Sequence, residues 1–339
     1  EKNFTAICPK GIYSEQLKSI YQDHINWQIN RAKTFDLKSV FNLKKILNSL
    51  EEGSVVHSFT LKTGILYSIA NLFANKNING VLSINGLGYL FSNNLKAKFL
   101  KLLLRTVIKR IFNKSFKEII FQNVSDKEIF LDFSSYSGKT SLIEGSGIEI
   151  SNYVKKEFYK NEKLKVIFVS RLLKDKGVNE YIELTKNISK ANIAFYLAGE
   201  IDAGNPNSIS VNDLENIKNQ ENVKYIGPIN VEKELFNYDI SIVMSKYEGF
   251  SRILLESLYV GLFCISNKIP GTQWLKEFNN GFLVENNNLN DISEIINNFN
   301  EYEFSKANAE SNREIIKKKY TTKIISNQYN EIYNNLASR

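Results

Sequence analysis

The architecture of this chain turns on DISIVMSKYEGFSRILLESLYVGLFCISNK, residues 239–268. It opens on an apolar, β-branched run, DISIVMS (239–245), crosses a short KYEG turn, and resumes with apolar residues at helical spacing. Ser251 stands where a helix N-cap belongs, and Gly261 where a helix stops. LFCISNK (262–268) is a second apolar run. Two strands without polar alternation, joined through a helix, predict neighbours in a parallel sheet covered on both faces. Two carboxylates bracket the helix start: Glu248 lies in the loop and Glu256 about one and a half turns along the helix.

The same alternation extends outward. KVIFVSR (165–171), NIAFYLAGE (192–200), NVKYIGPI (222–229) and GFLVE (281–285) read as short buried strands, with helical patterns such as VNEYIELTKNI and VEKELFNY between them. The first half repeats the scheme through FTAICPK, a helix, DLKSVFNLKKILNSL, SVVHSFT, TGILYSIANLF, GVLSING, a long helix over 95–116, and EIIFQN. The expected fold class is α/β: two doubly wound, Rossmann-like parallel-sheet domains facing a cleft, over residues 1–150 and 151–320, joined near 144–163. Such sheets bind ligands beyond the carboxyl ends of their strands.

Composition sets the bounds. A chain of 339 residues, 43% hydrophobic and 24% charged, suits two ordinary globular domains. No run of about 18 apolar residues predicts a membrane span, and EKNFTAICPK lacks the pattern of a signal peptide. Cys8 and Cys264 lie in separate apolar runs and are expected to be buried free thiols in a reducing cytoplasm. The net charge of +8 is uneven: residues 1–150 hold 20 Lys+Arg against 12 Asp+Glu, and the rest hold 24 of each. An anionic substrate or surface therefore faces the first half. No nucleic-acid module signature appears, so nucleic acid is disfavoured as a partner.

The chemistry of the cleft follows from these placements. Amides of residues 250–253 and the helix dipole form an anion site. Glu256 would reach a hydroxyl-bearing group beside that anion, and Glu248 would face the group on its other side. A diphosphate with a sugar at each end fits. Arg171 and Lys176, in RLLKDKG after the strand KVIFVSR, could take the charge of a departing diphosphate. No Asp-x-Asp pair occurs, so no metal bound by that motif is expected, and no cofactor.

SRLLKDKG (170–177), LAGE (197–200), YIGPI (225–229) and EGFSRILLE (248–256), in that order, resemble the C-terminal domain of GT-B retaining glycosyltransferases of family 4. GSGIEI (145–150) resembles that family's interdomain segment. HSFTLKTG (57–64), INGLGYLF (84–91) and IIFQN (119–123) resemble the branch that extends polyprenyl-diphosphate-linked glycans and surface polysaccharides such as O-antigen and capsule. The resemblance implies a nucleotide-sugar donor, most simply a UDP-sugar, and metal-free transfer with retention. It also implies a final helix over 321–339 crossing back to the first domain. By position, Arg171 and Lys176 would bind the donor diphosphate, Glu256 the ribose, and Glu248 the transferred sugar. Gly249, Phe250 and Ser251 would offer amides, Arg252 would join the donor site, and Gly199 and Gly227 would shape the nucleotide pocket. Asn85, Gly86, Gly88, His57 and Lys62 would lie on the acceptor or phosphate side. The implied reaction is front-face displacement, in which the leaving phosphate oxygen helps deprotonate the acceptor hydroxyl.

Two departures stand out. Many members carry a histidine where this chain has Asn85, which can hydrogen-bond a hydroxyl but cannot shuttle a proton. The strand–loop–helix unit that usually precedes FTAICPKG is absent from the sequence, which suggests a trimmed chain. A catalytically silent GT-B subunit and a GT-B nucleotide-sugar epimerase are therefore alternatives. Finally, LKAKFLKLLLRTVIKRIFNKSFK (95–117) interleaves basic and apolar residues. It is expected to be a core helix whose basic edge meets an anionic membrane, giving a cytoplasmic protein peripheral to the inner membrane face.

Overall fold

The computed structural model describes residues 4–11, 16–17, 20–21, 23–29, 36–88, 105–106, 108–157, 163–188, 192–299 and 306–337. The first unit contains β1 (Thr5–Cys8), β2 (Asp23–Asn26), α1 (Leu37–Ser49), β3 (Val55–Phe59), α2 (Leu61–Leu72), β4 (Asn79–Ile84), β5 (Phe116–Phe121), α3 (Val124–Ser134) and β6 (Lys139–Leu142). The second contains β7 (Leu164–Val169), α4 (Val178–Asn187), β8 (Ile193–Ala198), α5 (Val211–Lys218), β9 (Lys224–Gly227), α6 (Val231–Glu234) and β10 (Ile240–Val243). It continues through α7 (Arg252–Val260), β11 (Phe263–Asn267), β12 (Gly281–Val284), α8 (Leu289–Asn297) and α9 (Lys306–Lys319), and α10 (Thr322–Ala337) follows.

The second sheet is parallel throughout, in the order β12-β11-β10-β7-β8-β9. The chain starts at the centre with β7, steps outward through β8 and β9, then returns to the other side of β7 as β10. One face packs on α4, α5 and α8 through Val166, Phe168, Tyr181, Leu184 and Leu214. The other packs on α7 and α9 through Ile167, Leu254, Leu258, Cys264 and Ile316. Burial on both faces is why these strands are apolar without alternation.

The first unit has a four-stranded parallel sheet, β3-β4-β5-β6. Side chains alternate across it: Leu82, Ile84, Ile119 and Phe121 face the helices of their own unit, while Val81 and Ile120 meet Ile325, Ile332 and Leu336 of α10. The last helix therefore covers a face of the first sheet. Its approach runs beside the outgoing chain, with the amides of Ile148 and Thr322 donating to the carbonyls of Tyr320 and Ile148, both at 3.0 Å.

Three expectations change. FTAICPK contributes a strand, but β1 pairs only with β2, in a separate two-stranded sheet. Cys8 is only half-buried, because it lies on this small sheet; Cys264 is buried. Of the expected helix over 95–117, only residues 105–106 and 108–115 are helical and described, and 116–117 begin β5; residues 95–104 and 107 lie outside the described residues. In the described part Ile108 and Phe112 are buried while Arg105, Lys109, Arg110 and Lys114 are exposed. No helix among the described residues is long and apolar enough to cross a membrane.

Candidate active site

β7 and β10 are neighbours whose following connections diverge, so a crevice opens beyond their carboxyl ends. The loop after β7 carries Arg171 and Lys176; the loop after β10 carries Glu248. Lys176 Nζ meets Glu248 Oε1 at 2.7 Å, with both side chains about four-fifths buried (21% and 17% exposed). Ser245 Oγ donates to the same oxygen at 2.7 Å. The two loops are riveted further by the Lys246 amide on the Asp175 carbonyl, 2.8 Å, and Lys246 also pairs with Glu180 in the first turn of α4 at 2.9 Å. A cation and a carboxylate thus meet across the switch point.

Arg171 goes elsewhere. Its Nη1 pairs at 2.6 Å with Asp202, in the loop after β8, and the side chain is 58% exposed. The two expected diphosphate cations therefore face different carboxylates. Between them, Gly199 has φ +140°, and a Cβ there would collide with the Ser170 carbonyl, so only glycine lets β8 end so close to β7. Its amide donates to the Gly227 carbonyl at 2.9 Å. Gly227, at φ +75°, has open space where a side chain would start.

Ser251 occupies the N-cap position of α7, and Gly261 ends the helix at φ +114°. Two details correct the sequence reading. The Ser251 side chain makes no capping bond, and its buried Oγ has no hydrogen-bond partner. Its amide donates to the Gly271 carbonyl at 3.2 Å, which removes one of the amides expected to be open to an anion. The Phe250 side chain turns inward to stack on Trp274 at 4.6 Å and 10°. It acts as a core anchor for the loop, whatever its amide does.

Glu256 is 7% exposed and fully engaged at one oxygen: Tyr153 Oη donates at 2.7 Å and Arg252 Nε at 2.8 Å. Burial, followed by the adjacent carboxylate, raises the Tyr153 phenol well above its usual range, so it remains a donor. Arg252 therefore joins this cluster through Glu256. Tyr153, Asp202 and Ser245 were not singled out from sequence. Tyr153 lies 103 positions from its partner, beyond any local pattern.

On the facing side, Asn85 follows β4 with an exposed side chain, and its carbonyl abuts Gly249. Gly86 approaches the same backbone, whereas Gly88 has nothing near it. Lys62 is half-buried in the first turn of α2; burial lowers its pKa, and Asp36 opposes that shift. His57 is engaged at both ring nitrogens. Its Nδ1 meets Tyr333 Oη of α10 at 2.6 Å and its Nε2 meets Ser83 Oγ at 2.8 Å. Both ring nitrogens are spent on fastening α10 to the sheet, and burial holds the ring neutral, with its pKa lowered to about 4. Among the described residues, no three His, Cys, Asp or Glu side chains form a metal-holding group.

Two parallel α/β sheets with a cation–carboxylate cluster at the switch point define a GT-B glycosyltransferase fold. The family model described as glycosyl transferases group 1 matches residues 149–322, and the chain belongs to that family. It is 24% identical over 315 residues to the capsular polysaccharide biosynthesis glycosyltransferase CapM of Staphylococcus aureus, covering 88% of this chain and 81% of that one. It is 27% identical over 280 residues to the Escherichia coli UDP-Gal:alpha-D-GlcNAc-diphosphoundecaprenol alpha-1,3-galactosyltransferase, covering 77% and 69%. Among solved structures, the Anabaena protein HepE with UDP and glucose superposes with a TM-score of 0.73 at 17% identity, covering 96% of this chain and 89% of that one. Sucrose-phosphate synthase from Thermosynechococcus elongatus gives 0.74 at 16% identity, covering 93% and 83%. At these identities the superpositions establish the fold alone.

Proposed function

We propose that this chain transfers a sugar, with retention and without a metal, from a nucleotide-sugar, most simply a UDP-sugar, to a lipid-linked glycan in surface polysaccharide assembly. The observation that carries the reading is the Lys176–Glu248 pair at the switch point, with Glu248 in the loop that leads into α7, the helix carrying Glu256. Glu256 holds the ribose hydroxyls, Lys176 and Arg171 meet the diphosphate, and Glu248 touches the transferred sugar. The sugar's anomeric carbon loses its bond to the phosphate oxygen and gains one to the acceptor oxygen on the same face. The acceptor's proton passes to the departing phosphate. The protein's share is electrostatic, because fixed cations stabilise charge that grows on the leaving group.

The capsule and diphosphoundecaprenol relatives support the acceptor class. So does α1, which has no acidic residue in its first turn and exposes Leu37 (60%) and Phe41 (63%) beside Lys38 and Lys45 on one face. A basic, apolar surface of this kind suits anionic lipid and a peripheral station at the inner membrane face. The test is a panel of UDP- and GDP-sugars with prenyl-diphosphate-linked acceptors, scored by product mass. Transfer supports the reading. Failure to bind or turn over any donor overturns it in favour of a silent subunit, and conversion of the donor's sugar without transfer indicates epimerisation.

A further inference from the structure

Asn123 reaches from one unit into the other. It follows β5 and caps α3, its Oδ1 accepting the Asp126 amide at 2.7 Å. Its Nδ2 serves two acceptors, the Asp126 carboxylate at 2.8 Å and the Gly249 carbonyl at 2.9 Å. The Asp126 carboxylate also accepts the Leu87 amide. Leu87 belongs to the loop after β4, and Gly249 directly follows Glu248 in the loop after β10. One Asn–Asp pair therefore joins the backbones of the two loops that face each other across the cleft.

The fit leaves no slack. Asn123 and Asp126 are 8% and 5% exposed. A Cβ on Gly249 would collide with the Asn85 carbonyl and lie 2.5 Å from Gln122 Oε1. Burial raises the Asp126 pKa, while the bonds from Asn123 and Leu87 pull it back, so the carboxylate depends on both. Capping alone needs only the side-chain oxygen, which serine or aspartate supplies equally well. Only the amide adds a donor for Gly249.

We infer that Asn123 is a positioning residue: with Asp126 it straps the donor-side loop carrying Glu248 to the acceptor-side loop 85–88, and so fixes Glu248 relative to that loop. This rests on the transferase reading.

The test compares Asn123→Ser and Asn123→Asp with the wild type. Both variants keep a capping oxygen; serine removes the donor to Gly249, and aspartate sets a carboxylate against both the Gly249 carbonyl and Asp126. Loss of one such bond should speed amide exchange in residues 85–88 and 246–253 by about three- to tenfold, with the rest of the chain unchanged. Transfer kcat should fall about tenfold in Asn123→Ser and further in Asn123→Asp, while the Kd for UDP stays within about twofold. Exchange in both loops at the wild-type rate, or quickening only in step with the whole chain, overturns the strap. Loss of UDP affinity matching the loss of transfer also overturns it. If the wild type turns over no donor, the transferase reading fails, and loop exchange still decides whether the strap exists.

Discussion

His57 should not titrate as an ordinary histidine. Its pKa is lowered from 6.5 to about 4 because the buried ring loses solvation when charged. The neutral form is favoured by folding, so its contribution is fully present above the unfolded pKa of 6.5 and is lost as pH falls towards 4. The shift implies a loss of about 2 kcal/mol by pH 5 and about 3 kcal/mol near pH 4, at 1.36 kcal/mol per unit. The strain falls on the Tyr333 and Ser83 contacts, and so on the seat of α10. The chain has two histidines, which makes an NMR titration of the imidazole carbons simple to assign with His57→Gln. The unfolding free energy of the wild type from urea titration, measured against that variant, should fall between pH 6.5 and 4 by the amounts above; buried carboxyls such as Glu144 and Asp126 contribute equally to both proteins and cancel. A His57 resonance titrating near 6.5, or parallel stability curves for the two proteins, would refute the reasoning.

Three further outcomes are expected. Glu256→Ala should weaken UDP and UDP-sugar together by about one to two decades, because the ribose contact occurs in both, whereas Glu248→Ala should spare UDP binding in calorimetry and collapse kcat; equal loss of UDP binding would reverse the division of roles. Transfer should persist in EDTA, since the charge is met by Lys176 and Arg171; activity abolished by chelation and restored by Mg²⁺ or Mn²⁺ would show otherwise. Sedimentation with liposomes should show binding to anionic but not neutral vesicles, weakened by salt and by Leu37→Ser with Phe41→Ser; equal binding to both vesicle types would remove the lipid role of α1.

The βαβ pattern around residues 239–268 was legible because parallel strands buried on both faces need apolar side chains at every position, and Gly261 marks a helix end by conformation. The meeting of the loops that carry Lys176 and Glu248 was legible because loops after neighbouring parallel strands converge by topology. What escaped were contacts set by tertiary placement. Tyr153 reaches Glu256, Asp202 captures Arg171, and the Gly271 carbonyl takes the Ser251 amide, none of which spacing encodes. His57 is held by Tyr333, which lies 276 residues away. β2 was invisible as DHIN, four residues with exposed ends and no apolar period.

The position of α10 has a consequence for biogenesis. Val81, Ile120 and Ile143 are all synthesised by residue 143, yet the residues that cover them, Ile325, Ile332 and Leu336, follow roughly 180 to 190 positions later. At about 5–20 residues per second the nascent first sheet waits roughly 10–40 s with one apolar face uncovered. The second unit can bury both faces of its sheet during that interval, so the part of the chain made first is the part completed last. A premature stop between α9 and α10 releases a polypeptide with a finished second unit and a permanently sticky first one, which is a substrate for chaperones and proteases and not a smaller enzyme.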